Sequence, residues 1–236
     1  MAGSVEHFVV AWNLLERWSK RDNPEDIHIQ DRQRFILGNL CPDSVMSRPD
    51  YKRPMKMHTH FRDGIADADF AFPRNQEKFH QRICMFVDQF CQEETPDLDL
   101  YLGYVTHILT DEVFMLTVRP EFMEKIEDAL GLTQYDMETF THFSYDVNQI
   151  DRRLAREAAG MRQVKEWLSR VPDIEIPGLV SAQAIQDSAR WVLDFFFDEE
   201  KPVETPKYYT YERAAAFIRD TTQIVAARME KYLYMR

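Results

Sequence analysis

The stretch YVTHILTDEVF, residues 104–114, decides how this chain is expected to fold. His107 and Asp111 are four residues apart, so on a helix they share one face, and Tyr104 and Ile108 share it with them. A carboxylate buried beside an imidazole is costly unless it is paired or bound to a metal. The stretch therefore predicts a helix whose inward face carries polar chemistry.

Apolar side chains recur at three- and four-residue spacing along most of the remaining chain. This periodicity predicts helices over 4–20, 79–90, 120–130, 134–158, 161–170, 181–197 and 210–233. Ser4 is the expected N-cap of the first helix, and Gly131 is expected to end the helix that begins near Pro120. The predicted fold class is all-α.

Two segments depart from the helical pattern. DIEI at 173–176 is the best strand candidate, although it is short. The proline-rich and charged stretch from Cys41 to Arg74 is expected to be a long irregular segment, a feature that is often functional. We expect one multi-helix domain over 1–236, with metal-site motifs within 4–150 and C-terminal helices over 160–236 completing it.

Composition narrows the class of protein. The chain has 29 Lys+Arg against 40 Asp+Glu, a net charge of −11, which disfavours binding of polymeric nucleic acid. A small phosphorylated substrate stays compatible, since a bound metal inverts the local field. No leader and no apolar run of roughly 20 residues is found, so neither export nor a transmembrane segment is expected. The three cysteines form no C-x-x-C pair, and a cytoplasmic location is expected.

Several polar residues are candidate metal ligands, each with a plainer alternative. The pair His107 and Asp111 can be a hydrogen bond within the core, and His142 with Asp146 repeats their spacing on a more polar helix that can simply be exposed. Asp43 follows Pro42, a position where aspartate is commonly a cap or turn residue.

The remaining candidate ligands are histidines near the N-terminal half. His58 and His60 alternate, so only one of the two is expected to face a given site. His7 lies in the first turn of the first predicted helix, where a surface histidine is the plainer interpretation.

Taken in order, three segments together resemble a known superfamily. RFILGNLCPDSV (34–45), KMHTHF (56–61) and GYVTHILTDEVF (103–114), with His7 before them, resemble the zinc-dependent phospholipase C and single-strand nuclease superfamily. The resemblance is closest to its bacterial hydrolase-like branch without a secretion signal, and it covers roughly residues 4 to 150. It implies an all-helical fold around one to three metal ions, usually zinc, with other divalent metals as alternatives.

The resemblance also assigns ligands. It implies that Asp43, His60, His107 and Asp111 hold one metal, and that His7 helps to hold a second metal bridged by Asp111. His142 and Asp146 correspond to ligands of a further metal. The chain departs from the family pattern at Thr117, where secreted members carry a histidine, and in its N-terminus, where those members use the amino group of a processed tryptophan.

The expected function is hydrolysis of a phosphoester, as in a phospholipase C-like phosphodiesterase, with Asp43 doubling as general base. Lys52, Lys56 and Arg62 are candidate anion contacts, or plain surface charge. The alternatives are a non-catalytic metal-binding or scaffold protein and a metal-free helical interaction domain. An HD-type phosphohydrolase is excluded because no histidine is followed directly by aspartate. The sequence leaves the substrate and the oligomeric state open.

Overall fold

The structure is a computed structural model that describes residues 1–20, 27–92 and 94–234. Within these ranges the chain forms eleven α-helices, and two short 3-10 turns lie at Val45–Ser47 and Asp67–Asp69. The helices are α1 Ser4–Trp18, α2 Arg32–Gly38, α3 Cys41–Ser44, α4 Arg53–Thr59, α5 Pro73–Phe90, α6 Leu98–Leu116, α7 Val118–Leu130, α8 Met137–Glu157, α9 Met161–Leu168, α10 Ala182–Phe196 and α11 Tyr211–Tyr234.

The all-α prediction is confirmed, and every long predicted helix occurs. Most bounds agree within a few residues, but α5 begins at Pro73 and not near residue 79. Gly131 ends α7 in the left-handed conformation, with φ +68°. The strand predicted at 173–176 is wrong. Only Ile176 makes a bridge, to Val180 across a tight turn, and the described residues contain no strand.

The predicted N-cap of α1 is also wrong. Gly3 is the N-cap residue, and Ser4 is the first helical residue. The Glu6 carboxylate accepts the Gly3 N–H at 2.7 Å, and the Asp151 carboxylate of α8 accepts the Glu6 N–H at 3.1 Å. Buried carboxylates thus satisfy N–H groups that a serine hydroxyl was expected to satisfy.

The segment from Cys41 to Arg74 is not irregular, which corrects the sequence-based expectation. It contains the short helices α3 and α4 and both 3-10 turns. Pro42 and Pro54 lie in the first turns of α3 and α4, where a proline has no N–H to lose and its fixed φ suits the helix. Two of the prolines that suggested an irregular segment therefore lie at helix starts.

Helix α6 runs through the centre of the molecule. Each of its residues from Asp99 to Met115 is buried, as expected for a helix surrounded by others. It packs tightly against α2 through Gly38 and Gly103. A Cβ added at Gly38 would lie 2.1 Å from the Leu100 carbonyl oxygen, and one added at Gly103 would lie 2.0 Å from the Phe35 carbonyl oxygen. This close approach brings the end of α2 against the His107 ring.

In the part of the chain that the structure describes, none of the helices is both long enough and apolar enough to cross a membrane. Buried apolar side chains from helices throughout the sequence instead pack into a continuous core around α6.

Candidate metal centre

Five polar side chains that are distant in sequence meet beside α6. His7 comes from α1, Asp43 from α3, His60 from the end of α4, and His107 and Asp111 from α6 itself. The three histidines and Asp111 are each at most 5% exposed, while the Asp43 side chain is 20% exposed. The residues assigned by resemblance to two metal sites therefore form one buried cluster.

Backbone carbonyls fix the protonation of two imidazoles. The Nδ1 atom of His107 lies 2.7 Å from the Asn39 carbonyl oxygen, and that of His60 lies 2.8 Å from the Lys56 carbonyl oxygen. A carbonyl oxygen only accepts, so both Nδ1 atoms carry hydrogen. In the neutral rings, both Nε2 atoms then present lone pairs.

These two lone pairs point at each other. The Nε2 atoms of His60 and His107 are 3.2 Å apart. Asp111 Oδ2 lies 3.4 Å from Nε2 of His60 and 3.7 Å from Nε2 of His107, and it has no hydrogen-bond donor among the described residues. A buried group of acceptors without a shared donor is costly. A cation between them removes that cost.

The donor set fits zinc in type and spacing. Imidazole nitrogens and carboxylate oxygens are usual zinc ligands at about 2.0–2.2 Å, so ligand atoms of a regular tetrahedron lie roughly 3.3–3.6 Å apart. The Nε2 atom of His60 is 3.3 Å from Asp43 Oδ1, 3.2 Å from His107 Nε2 and 3.4 Å from Asp111 Oδ2. The distance from His107 Nε2 to Asp111 Oδ2 is 3.7 Å, so all four distances are close to those of a tetrahedral zinc site. The carbonyls on both Nδ1–H groups supply the outer contacts that usually orient histidine ligands.

His7 faces the other oxygen of Asp111. Its Nε2 atom lies 3.3 Å from Asp111 Oδ1, and neither ring nitrogen has a hydrogen bond to the described residues. The ring is stacked on His107, with centroids 3.7 Å apart and planes inclined by 8°. The Ala2 N–H also donates to Asp111 Oδ1, at 2.9 Å. Asp111 thus lies between two groups of candidate metal ligands: its Oδ1 atom faces His7, and its Oδ2 atom faces His60 and His107.

Electrostatics favour the protonation states that a metal requires. Burial, and then the charge of His7, hold the pKa of His107 well below its ordinary value. Burial alone raises the pKa values of Asp43 and Asp111, but the charge of Lys56 near Asp43 and the pairing of Asp111 with His7 outweigh it, and both pKa values lie below the ordinary value. For Asp43 the largest opposing charge is Lys56, whose Nζ is 2.6 Å from Oδ1. Ionised carboxylates beside a neutral imidazole are the metal-binding forms.

Other predicted residues lie outside the cluster. His58 is exposed and pairs with Asp63 at 3.0 Å, so His60 is the histidine of its segment that faces the centre. Thr117 ends α6, and its hydroxyl donates to the Val113 carbonyl oxygen at 2.7 Å. Thr117 thus offers no imidazole at the position where secreted members of the superfamily carry a histidine.

The structure does not bring His142 and Asp146, which the resemblance assigns to a further metal, into a group of three or more ligand atoms. Asp146 accepts the backbone N–H groups of residues 207, 208 and 209 at 2.8, 2.6 and 2.9 Å. His142 lies 3.7 Å from Glu138. Among the described residues, the groups of three or more ligand atoms within 4.8 Å of one another involve only the cluster of His7, Asp43, His60, His107 and Asp111.

The centre is nearly closed. A cavity of about 10 Å³ lies beside His60 and Asp111, room for about one water molecule. A much larger surface groove, about 760 Å³, lies between α9 and α10 and contains none of the cluster residues. Access to the centre is therefore on the side of Asp43 and Lys56, whose side chains are 20% and 14% exposed.

Comparisons of the chain with protein-family models, with curated proteins and with solved structures found no match. Sequence patterns identified its side chains, but they carried no sign of the carbonyls of Asn39 and Lys56, which orient the two imidazoles.

Proposed function

We propose that this chain is a divalent-metal-dependent hydrolase, most simply zinc-dependent, that acts on a phosphoester. The observation that carries the proposal is the opposed pair of Nε2 lone pairs on His60 and His107, with ionised Asp111 beside them. The sequence resemblance to the zinc-dependent phospholipase C and nuclease superfamily supports the same chemistry.

Each residue of the cluster has a role in this proposal. Asp43, His60, His107 and Asp111 would hold one ion, and His7 with the second oxygen of Asp111 would contribute to a second. Metal ions bound there would supply Lewis-acid activation of water and of a phosphoryl oxygen at neutral pH. The second group of ligand atoms consists of His7, His107 and Asp111, with His107 common to both groups, and three protein ligands would leave room for a substrate oxygen.

Asp43 is the proposed general base. Its side chain is the most exposed of the five, and it is ionised because Lys56 lowers its pKa. An ionised carboxylate at the accessible edge of the centre can accept a proton from the nucleophilic water. The Lys56 ammonium group lies at the same edge, where it can meet a negatively charged phosphoryl group.

A non-catalytic metal site is the second candidate. Four protein donors that are mostly buried, beside a cavity that holds about one water, are typical of closed structural zinc sites. In that case the ion would bind tightly and hold α3, α4 and α6 together without turnover.

The test joins metal content to turnover. Zinc-loaded protein is assayed with bis(p-nitrophenyl) phosphate and p-nitrophenyl phosphate, and wild type is compared with Asp43→Asn and with the exposed control Asp63→Asn. We expect Asp43→Asn to retain zinc in the His60 and His107 site while kcat falls about a hundredfold, and Asp63→Asn to match wild type. Zinc-loaded wild type without turnover on either compound would instead support the structural site.

A further inference from the structure

Three arginines surround a single carboxylate near the proposed metal centre. Arg62 donates to Asp67 Oδ1 at 2.5 Å, Arg53 lies 2.9 Å from Oδ2, and Arg119 lies 3.6 Å from Oδ2. In the described part of the chain, Asp67 is the carboxylate within ion-pair distance of these guanidinium groups. The arginine cluster, defined as Arg53, Arg62 and Arg119, therefore places three guanidinium groups around one carboxylate.

Arg62 links this cluster to the metal centre. The residue is only 5% exposed, and its Nε–H has no hydrogen-bond acceptor among the described residues. Its guanidinium lies 4.8 Å from the centre of the Phe70 ring. Arg62 also lines the small cavity that His60 and Asp111 line. Arg62 is thus a buried arginine with an unpaired Nε–H, and apolar parts of its side chain adjoin the same cavity as His60 and Asp111.

A further anion would find guanidinium donors at this cluster that Asp67 leaves unused. The excess of positive charge is local, in a chain whose net charge is −11. Guanidinium groups offer fork-like pairs of donors that fit the oxygens of a phosphate. The Arg53 side chain is 73% exposed and that of Asp67 is 27% exposed, so an anion can approach from solvent.

We propose that Arg53, Arg62 and Arg119 form a phosphate subsite beside the metal centre, which Asp67 occupies in the ligand-free protein. Asp67 lies in a short 3-10 turn between α4 and α5, and a bound phosphate competes with its carboxylate for the guanidinium groups. As a statement about substrate, this inference rests on the proposed function: the substrate carries a phosphate besides the group that is hydrolysed. Binding of phosphate itself needs no metal.

The test is titration of inorganic phosphate into metal-free protein by calorimetry. The variants are Arg53→Gln, Arg119→Gln and Asp67→Asn, and the control is Arg153→Gln, an exposed arginine paired with Glu157. We expect each cluster arginine variant to weaken phosphate binding about tenfold, since a charge-assisted hydrogen bond is lost. Asp67→Asn removes the competing carboxylate, and the dissociation constant should fall about fivefold.

Two results would overturn the inference. One is phosphate affinity that is equal in wild type, Arg53→Gln, Arg119→Gln and the Arg153→Gln control. The other is Asp67→Asn protein that stays folded, by circular dichroism, but binds phosphate no more tightly than wild type. Arg53 is largely exposed, so Arg53→Gln is expected to fold. A change in its phosphate affinity can therefore not be attributed to unfolding. Because the protein is metal-free, these outcomes are independent of zinc binding and of turnover.

Discussion

The Nε2 atoms of His60 and His107 face each other across 3.2 Å, while the Nδ1–H of each ring donates to a backbone carbonyl. The repulsion between the two Nε2 lone pairs is not removed by moving a ring proton from Nδ1 to Nε2, because that Nδ1 would then lose its hydrogen bond to a carbonyl oxygen. Protonation of His107 is also opposed, since burial holds its pKa well below the ordinary value. A shared cation would offset the repulsion, and the carboxylates of Asp43 and Asp111 are placed to complete its shell.

Close packing between α2 and α6 should be sensitive to a single methyl group. Gly103→Ala puts a Cβ at 2.0 Å from the Phe35 carbonyl oxygen, so the helices must separate. We expect the free energy of unfolding to fall by about 3 kcal/mol in urea denaturation. Gly131→Ala is the control, because its Cβ meets no atom and only its left-handed φ adds a cost of about 1 kcal/mol. Equal losses in the two variants would contradict the packing argument.

Asp146 is expected to act in folding and not in metal binding. Asp146→Ala leaves three backbone N–H groups without their acceptor, which should lower the free energy of unfolding by about 3 kcal/mol or more. His142→Ala should cost less than about 1 kcal/mol. Urea denaturation measures both, and zinc content per folded chain should equal that of wild type. Loss of zinc from either variant would restore the metal site predicted from the sequence.

The buried carboxyl of Asp151 should make stability depend on pH. Burial, and then the charge of Glu6, raise the pKa of Asp151 well above its ordinary value. Above about pH 4 the unfolded chain releases this proton while the folded chain holds it. The stabilisation that the protonated group contributes is therefore lost as pH rises through the raised folded pKa.

Asp151→Asn mimics the protonated form and isolates this effect. The free energy of unfolding of wild type minus that of Asp151→Asn should decrease from pH 5 to pH 8, by up to about 1.4 kcal/mol per pH unit. Thermal or urea denaturation of metal-free protein across this range measures the difference. Two curves that run parallel at every pH would show that the Asp151 pKa is ordinary.

Sequence patterns predicted the long helices because their apolar spacing is local information. The mixed face of α6, with His107 and Asp111 four residues apart, predicted a face turned inward, and these residues are buried. The order of motifs also selected His7, Asp43 and His60, which the structure places together. These predictions succeed because residue type and spacing along the chain are sufficient to indicate a helix face or a candidate ligand.

What the sequence could not indicate depends on tertiary contacts. Asp146 follows His142 by four residues, a spacing that two metal ligands on one helix can have. Its carboxylate instead accepts hydrogen bonds from backbone N–H groups more than 60 residues away. Arg119 joins Arg62 around Asp67 only because α7 folds back onto the segment after α4. A proline is common both in loops and in the first turn of a helix, so the prolines of the segment 41–74 do not distinguish the two. Which of the two forms depends on packing against the rest of the core.

Zinc content of the purified and reconstituted protein tests the central claim most directly. Protein dialysed against zinc and then against buffer is analysed by inductively coupled plasma mass spectrometry, with His58→Ala as control because His58 is exposed and lies two residues from His60. The account predicts at least one zinc per chain in wild type and His58→Ala, and loss of that zinc in His60→Ala and His107→Ala. Wild type without zinc, or folded His107→Ala that keeps as much zinc as wild type, would contradict it.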